Sequence, residues 1–189
     1  RVNSVPASVL YNADGKKVMD LETADLSSLM ATGYKFPETF KVKADDGITD
    51  LYGVMYKPFD FDSTKKYPAV VYLYNGPHLQ LITNKWLGGA NLWFQYMAQK
   101  GYVVFSIDGR GSADRGFAFE SVIHGRCGTN EIEDQIKGVD YLKTLPYVDE
   151  NRLAVHGWSY GGFMTTSLML RKPDAFKVGV AGGPVTDWK

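Results

Sequence analysis

Gly157-Trp158-Ser159-Tyr160-Gly161-Gly162 is the stretch that decides the fold, because it lies between an apolar strand pattern and a helix pattern. It fits Gly-x-Ser-x-Gly, which is typical of a tight strand-to-helix turn that lifts a serine above the edge of a sheet. Side chains at Gly157 and Gly161 would clash where the two backbones meet. Ser159 is therefore predicted to be a nucleophile at a helix N-terminus, where the Tyr160 N–H can stabilise an oxyanion.

Strand and helix patterns alternate on both sides of this turn. Apolar runs rich in β-branched residues predict buried strands at Ala69–Tyr74, Tyr102–Ile107, Arg152–His156 and Lys177–Ala181. Helices are predicted between them at Asn91–Gln99, from Asn130 to near Pro146, and at Tyr160–Leu170. This order implies right-handed crossovers, and so a three-layer α/β sandwich with a mostly parallel sheet and a site at the carboxyl ends of its strands.

The first part of the chain has a different pattern. Ser8–Tyr11 and Lys17–Leu21 flank an Asp-Gly turn and predict a hairpin, and Asp25–Thr32 predicts a short helix. No core of its own is expected in this part. An antiparallel strand pair follows, with its strands at Phe40–Val42 and Ile48–Tyr56.

Composition excludes several classes of function. The chain of 189 residues has 21 basic and 21 acidic residues, so no net field favours nucleic acid or an anionic membrane as a partner. Its apolar runs are strand-sized, and no membrane contact is expected. Cys127 is the only cysteine, which excludes an internal disulfide. The three histidines, at 78, 124 and 156, lack the spacing of zinc ligands, so neither a metal nor a cofactor is predicted.

A second oxyanion donor is expected in the loop after the first parallel strand. That loop reads Tyr74-Asn75-Gly76-Pro77-His78 and lacks the His-Gly-Gly-Gly run of many lipases. The Tyr74 hydroxyl can donate the hydrogen bond instead of a backbone amide. Taken alone, a tyrosine at a strand end also fits a packing role.

Five motifs in order resemble the prolyl oligopeptidase family of serine peptidases, and within it the dipeptidyl-peptidase-IV-like branch. They are Tyr74-x-Gly76-Pro77, Asp108-Gly109-Arg110-Gly111-Ser112, Gly128-Thr129 with Glu133-Asp134-Gln135, the stretch 157–162, and Pro184-Val185 with Trp188. The resemblance covers Phe36–Lys189. It implies the α/β-hydrolase form of the sandwich, truncated at the C-terminus, with residues 36–189 as the N-terminal part of the catalytic domain. Residues 1–35 resemble, weakly, the end of an N-terminal propeller domain and the return segment.

The resemblance also implies the roles of individual residues. Ser159 would be the nucleophile, and the Tyr74 hydroxyl and the Tyr160 amide would form the oxyanion hole. Tyr160, Val185 and Trp188 would line a pocket for a proline side chain. Substrates would be peptides with proline, or sometimes alanine, second from the N-terminus, cleaved as dipeptides. The parent protein would be a homodimer that is periplasmic or secreted.

The catalytic base is not evident in this chain. A hydrolase of this fold uses Ser, then an acid, then His in chain order, yet no histidine follows Ser159. Asp187 is a weak candidate for the acid, because the family places that residue after the next strand. By resemblance the acid and the histidine would lie beyond Lys189, and the chain alone would be inactive. His156 is expected to be buried and turned away from Ser159.

The remaining polar motif residues are predicted to be structural. Asp108, Arg110 and Asp114 are expected to brace a glycine-rich loop. Asn130 followed by Glu133 predicts a capping box, and Glu133 and Asp134 favour the helix dipole. Two alternatives to a dipeptidyl peptidase stay open: an acylaminoacyl peptidase or esterase of the same fold, and a non-catalytic binding protein.

Overall fold

Six strands form one sheet in the computed structural model, which describes residues 2–86 and 92–188. A separate hairpin precedes the sheet. The strands are β1 (Ala7–Tyr11), β2 (Lys17–Thr23), β3 (Glu38–Lys43), β4 (Asp50–Tyr56), β5 (Tyr67–Tyr72), β6 (Val103–Ile107), β7 (Val148–Trp158) and β8 (Val178–Gly182). The helices are α1 (Ser27–Met30), α2 (Leu92–Gln99), α3 (Phe117–Glu120), α4 (Asn130–Thr144) and α5 (Tyr160–Arg171), with a 3-10 turn at Ser121–Ile123.

The strand order across the sheet is β3-β4-β6-β5-β7-β8. The last four strands of that order are parallel to one another, with Val70 of β5 paired to Val104 of β6 on one side and to Ala154 of β7 on the other. The antiparallel pair β3 and β4 occupies one edge. The predicted, mostly parallel sheet is therefore confirmed, as is the antiparallel strand pair before it.

Two apolar cores cover opposite faces of the sheet, because successive side chains of a strand point to opposite sides. Phe105 of β6 packs in the core that also contains Leu142 of α4 and Leu168 of α5. The adjacent Val104 packs instead in the core that contains Phe94 of α2. Helices thus cover both faces, and the three layers match the predicted sandwich.

The first residues of the chain contact the sheet domain directly. β1 and β2 form their own two-stranded antiparallel sheet, as predicted from the Asp-Gly turn. Val2 is 4% exposed and packs in the same core as Phe94. Tyr34 makes edge-on ring contacts with Phe36 and Phe59, at centroid distances of 5.4 and 5.6 Å. Packing therefore ties the beginning of the chain to the sheet domain on both sides of the hairpin.

Some elements differ from the prediction. α3 was not predicted, and β7 begins at Val148, four residues before the predicted strand. The predicted capping box is wrong, because Thr129 is the N-cap of α4 and its side chain makes no capping hydrogen bond. Glu133 instead pairs with Lys172 of the α5 C-cap at 2.9 Å. The predicted helix start at Asn91 lies outside the described residues. Among residues 2–86 and 92–188, no helix has the length and apolar character needed to cross a membrane.

Candidate active site

The turn between β7 and α5 has the geometry that its sequence predicts. Ser159 has φ 58° and ψ −115°, a backbone conformation that few residues other than glycine adopt. Its N–H donates to the Gly182 carbonyl of β8 at 2.9 Å, which fixes the turn against the neighbouring strand. A side chain at Gly157 or Gly161 would overlap the backbone of Leu73, so the close approach needs both glycines.

The helix that follows the turn begins directly after the serine. Tyr160 is the first residue of α5, and the first N–H groups of a helix have no partner within it. These groups and the positive end of the helix dipole favour negative charge close by. The Tyr160 amide thus lies at the end of α5 that favours negative charge, which is where the sequence analysis expects an oxyanion donor.

A group of aromatic rings includes Tyr160, the residue that follows the serine. The rings of Tyr74 and Tyr160 lie 5.9 Å apart between centroids, and those of Tyr160 and Trp188 lie 5.2 Å apart. Phe163 completes the group, perpendicular to Trp188 at 5.3 Å. Tyr160 is 4% exposed and Trp188 is 52% exposed, so the group has a buried base and an open outer wall. Three of the predicted site residues, Tyr74, Tyr160 and Trp188, are thus brought together, and Tyr160 directly follows Ser159.

Val185 lies in a different part of this surface. It lines a pocket of about 250 Å³ beside α5, together with Phe163 and Pro184. Phe163 also contacts Tyr160 and Trp188, so this ring borders both the aromatic group and the pocket that Val185 lines.

Glu131 binds the Tyr160 side chain. The sequence analysis did not predict this contact. The Tyr160 hydroxyl donates to the Glu131 Oε1 at 2.5 Å, and Glu131 is completely buried. The same carboxylate accepts the N–H groups of Gly128 at 2.7 Å and Thr129 at 2.8 Å. Burial, and next the hydrogen bond to Glu131, raises the pKa of the Tyr160 hydroxyl well above its usual range. The signal in the sequence was an acid in the first turn of α4, but the sequence analysis considered Glu133 there, as a capping residue, and not Glu131.

Arg110 braces its loop, as predicted, but it does so through Asp46 and through Asp134, which was predicted only to favour the helix dipole. The Arg110 guanidinium binds the buried Asp134 through Nε at 2.9 Å and Nη2 at 2.7 Å, and it reaches Asp46 at 3.0 Å. Asp134 also accepts the backbone N–H groups of Arg110 and Asp45. One buried carboxylate therefore joins α4 to two loops, and the pairing with Asp134 raises the pKa of Arg110.

Asp108 braces a different loop. Its carboxylate accepts the N–H groups of Leu81 at 3.2 Å and Ile82 at 2.7 Å. Burial raises the pKa of Asp108 to about 6, although these two hydrogen bonds oppose the shift. Asp114 is the third residue of the predicted brace. It lies after β6, as Asp108 does, and has φ 64°.

His156 is held on the sheet by other side chains. Its Nδ1 lies 2.8 Å from the Val180 carbonyl, and its ring contacts those of Tyr72 and Trp93, each at 5.4 Å. The ring is half-buried, so the predicted burial is only partial. These contacts engage the imidazole in packing on the sheet.

Comparisons with known proteins agree with this geometry. A family model described as the prolyl oligopeptidase family matches residues 90–189. Dipeptidyl peptidase 8 of Homo sapiens is 42% identical over 156 residues, which cover 82% of this chain and 17% of that protein. A probable dipeptidyl-aminopeptidase B of Emericella nidulans is 38% identical over 194 residues, which cover 98% of this chain and 21% of that protein.

Two solved structures have the same fold. A putative dipeptidyl aminopeptidase IV from Bacteroides ovatus superposes with a TM-score of 0.89 at 51% identity, over 96% of this chain and 26% of that one. Dipeptidyl peptidase 4 of Porphyromonas gingivalis gives a TM-score of 0.83 at 33% identity, over 99% of this chain and 27% of that one. This chain therefore spans about a sixth to a quarter of the length of these relatives.

These similarities confirm two predictions from the sequence. The first is the α/β-hydrolase fold, and the second is the likeness to the dipeptidyl-peptidase-IV-like branch. The match of the family model covers more than half of the chain and includes the turn at Ser159. The chain belongs to the prolyl oligopeptidase family.

Proposed function

We propose that the protein to which this chain belongs is a serine peptidase that releases N-terminal dipeptides with proline or alanine at the second position. In this proposal Ser159 is the nucleophile, and the Tyr160 amide and the Tyr74 hydroxyl are the oxyanion donors. Residues 1–35 are the end of an N-terminal propeller domain and its return segment, and residues 36–189 begin the catalytic domain.

The observation that carries the proposal is the strained turn at Ser159, which is followed directly by Tyr160, whose ring lies 5.9 Å from that of Tyr74 between centroids. In the reaction, the Ser159 Oγ attacks the carbonyl of the second substrate residue, and its proton passes to a base. The carbonyl oxygen becomes an oxyanion that accepts hydrogen bonds from Tyr160 and Tyr74. The base then gives this proton to the leaving amine as the intermediate collapses, which releases the shortened peptide, and water hydrolyses the acyl-enzyme to free the dipeptide and restore the serine hydroxyl.

The aromatic group supports a preference for proline. A proline ring is compact and apolar, and it packs well against an aromatic face such as that of the half-exposed Trp188, which Tyr160 supports from the buried side. The ring centroids of Tyr160 and Trp188 lie 5.2 Å apart, and the Phe163 ring contacts that of Tyr160. Alanine fits the same space with fewer contacts. Val185, on the other side of Phe163, is assigned to the rim of this pocket.

The base is assigned to a segment that this chain does not contain. No histidine follows Ser159 in the sequence, and His156 is engaged by Tyr72 and Trp93. Loss of one member of a Ser-His-Asp triad lowers kcat by about 10⁴-fold or more. We therefore expect the isolated chain to turn over Gly-Pro anilides at least about 10⁴-fold more slowly than the full-length protein.

The test compares substrates on the full-length protein. Gly-Pro-p-nitroanilide should be cleaved, and Ser159→Ala should abolish the cleavage. Preference for N-acetyl-alanine-p-nitroanilide would instead identify an acylaminoacyl peptidase. A fluorophosphonate probe should label Ser159, and absence of both labelling and turnover would identify a binding protein without catalytic activity.

A further inference from the structure

Asn75 has a conformation and a set of contacts that the proposed reaction does not yet explain. It follows Tyr74 directly and has φ 57°, in the left-handed region that asparagine tolerates better than most residues. It is 1% exposed. A polar residue in this conformation is retained in a core only when its hydrogen bonds are made.

The side chain of Asn75 makes three hydrogen bonds. Its Oδ1 accepts the Gly109 N–H at 2.8 Å and the Gln135 Nε2–H at 2.6 Å. Its Nδ2 donates to the Arg110 carbonyl at 3.1 Å. A side chain at Gly109 would overlap the Asn75 amide, so the two residues are matched in shape. The amide therefore joins the loop after β5 to the loop after β6 and to α4.

The neighbours of Asn75 along the chain both face the candidate site. Tyr74 lies 5.9 Å from Tyr160 between ring centroids. A side chain at Gly76 would overlap the Tyr160 ring, so this backbone also packs against the first residue of α5. Because Asn75 lies between these two contacts, its anchoring fixes the direction in which the Tyr74 side chain leaves the backbone.

We infer that Asn75 is a positioning residue, which holds the Tyr74 hydroxyl where it can donate to the oxyanion. The inference rests on the proposed function. It assigns a role in the transition state to a side chain that is itself remote from substrate. Preorganised donors are effective because they do not need to reorient during the reaction, and a displacement of 1 Å costs about 100-fold in rate.

The decisive experiment is a double-mutant cycle on the full-length protein, with Gly-Pro-p-nitroanilide as the substrate. Asn75→Gly keeps the left-handed backbone and removes the three hydrogen bonds, so kcat should fall about 10- to 100-fold while KM stays within about twofold. Tyr74→Phe should lower kcat about 100-fold or more by removing the donor. The double variant should be no slower than Tyr74→Phe alone, because there is no longer a hydroxyl to position.

Asn151→Gly, near the opposite end of β7 from Ser159, is the matched control and should keep the kinetics of the wild type. The inference would be overturned if the fold-losses of kcat in the two single variants multiplied in the double variant. An unchanged kcat in Asn75→Gly or in Tyr74→Phe would also overturn it. A wild-type protein that fails to cleave the anilide would contradict the proposed function instead.

Asn75→Asp gives a second measurement if the glycine variant does not fold. The aspartate keeps the acceptor for Gly109 and Gln135, but when ionised it turns an oxygen toward the Arg110 carbonyl. Its protonated form can donate there as the amide does. The ratio of its kcat to that of the wild type should rise as the pH falls from 8 to 6, and a constant ratio would overturn the inference.

Discussion

Replacing Tyr160 by phenylalanine tests the anchor beneath the candidate site. The substitution removes one hydroxyl group and keeps the ring that contacts Tyr74, Phe163 and Trp188. The lost group is the donor to the Glu131 Oε1 at 2.5 Å. Without this hydroxyl, the completely buried Glu131 carboxylate keeps two of its three donors, the N–H groups of Gly128 and Thr129.

The size of the effect follows from burial and charge. A hydrogen bond to a charged group contributes about 1.5–3 kcal/mol, and water cannot replace this one because both partners are buried. Glu131 remains bonded to the Gly128 and Thr129 N–H groups, which places the expected loss near the lower half of that range. We expect the free energy of unfolding to fall by about 2 kcal/mol, or Tm by about 4–8 °C.

The assay is urea-induced unfolding of this chain, followed by circular dichroism and tryptophan fluorescence. Tyr96→Phe is the matched control, because Tyr96 is 57% exposed and its hydroxyl is solvated, so its unfolding free energy should not change. Glu131→Gln combined with Tyr160→Phe should cost less than the sum of the two single losses. A Tyr160→Phe variant within about 0.5 kcal/mol of the wild type would refute the anchoring role of Glu131.

Three further predictions use the same unfolding assay. Arg110→Met leaves the buried Asp134 without its cation and should cost about 3–5 kcal/mol, whereas a loss below about 1 kcal/mol would contradict the brace. Gly76→Ala adds a methyl group against the Tyr160 ring and should cost about 1–3 kcal/mol; an unchanged urea midpoint would show that the ring moves aside freely. Burial raises the folded-state pKa of Asp108 to about 6, above its unfolded value near 3.8, so protonated Asp108 favours the folded state. Its contribution is complete below about pH 4 and is lost as the pH rises through 6, a change of about 3 kcal/mol that Asp108→Asn should remove. An equal pH dependence in the wild type and in Asp108→Asn would falsify that assignment.

The features that could be predicted from the sequence depend on local rules. A turn between two backbones in contact needs glycine at Gly157 and Gly161 whatever surrounds it, and the serine between them follows from the same geometry. The strand at 103–107 is buried on both faces, and its run of apolar residues shows this without reference to its neighbours. The assignment of Trp188 to the site came instead from the family resemblance, and its ring lies 5.2 Å from that of Tyr160 between centroids.

The missed features depend on contacts between distant parts of the chain. Glu131 and Tyr160 are 29 positions apart, and Asn75 and Gln135 are 60 positions apart. Nothing near Glu131 distinguishes it from Glu133, since both lie in the first turn of the same helix. The two carboxylates differ in burial. That of Glu131 is completely buried, whereas that of Glu133 pairs with Lys172 at the surface.

Three contacts hold Tyr160 and the serine before it in place, and they bear on how the Tyr160 amide would act in the reaction. Its hydroxyl is bound by Glu131, its ring contacts the backbone at Gly76, and the N–H of the preceding serine is bound by Gly182. The amide proposed as an oxyanion donor lies between these attachments. Its orientation is therefore set by the fold before any substrate binds, which is the condition under which a backbone donor lowers a barrier most. A substitution that weakens any of these three attachments should therefore reduce kcat more than it reduces substrate affinity.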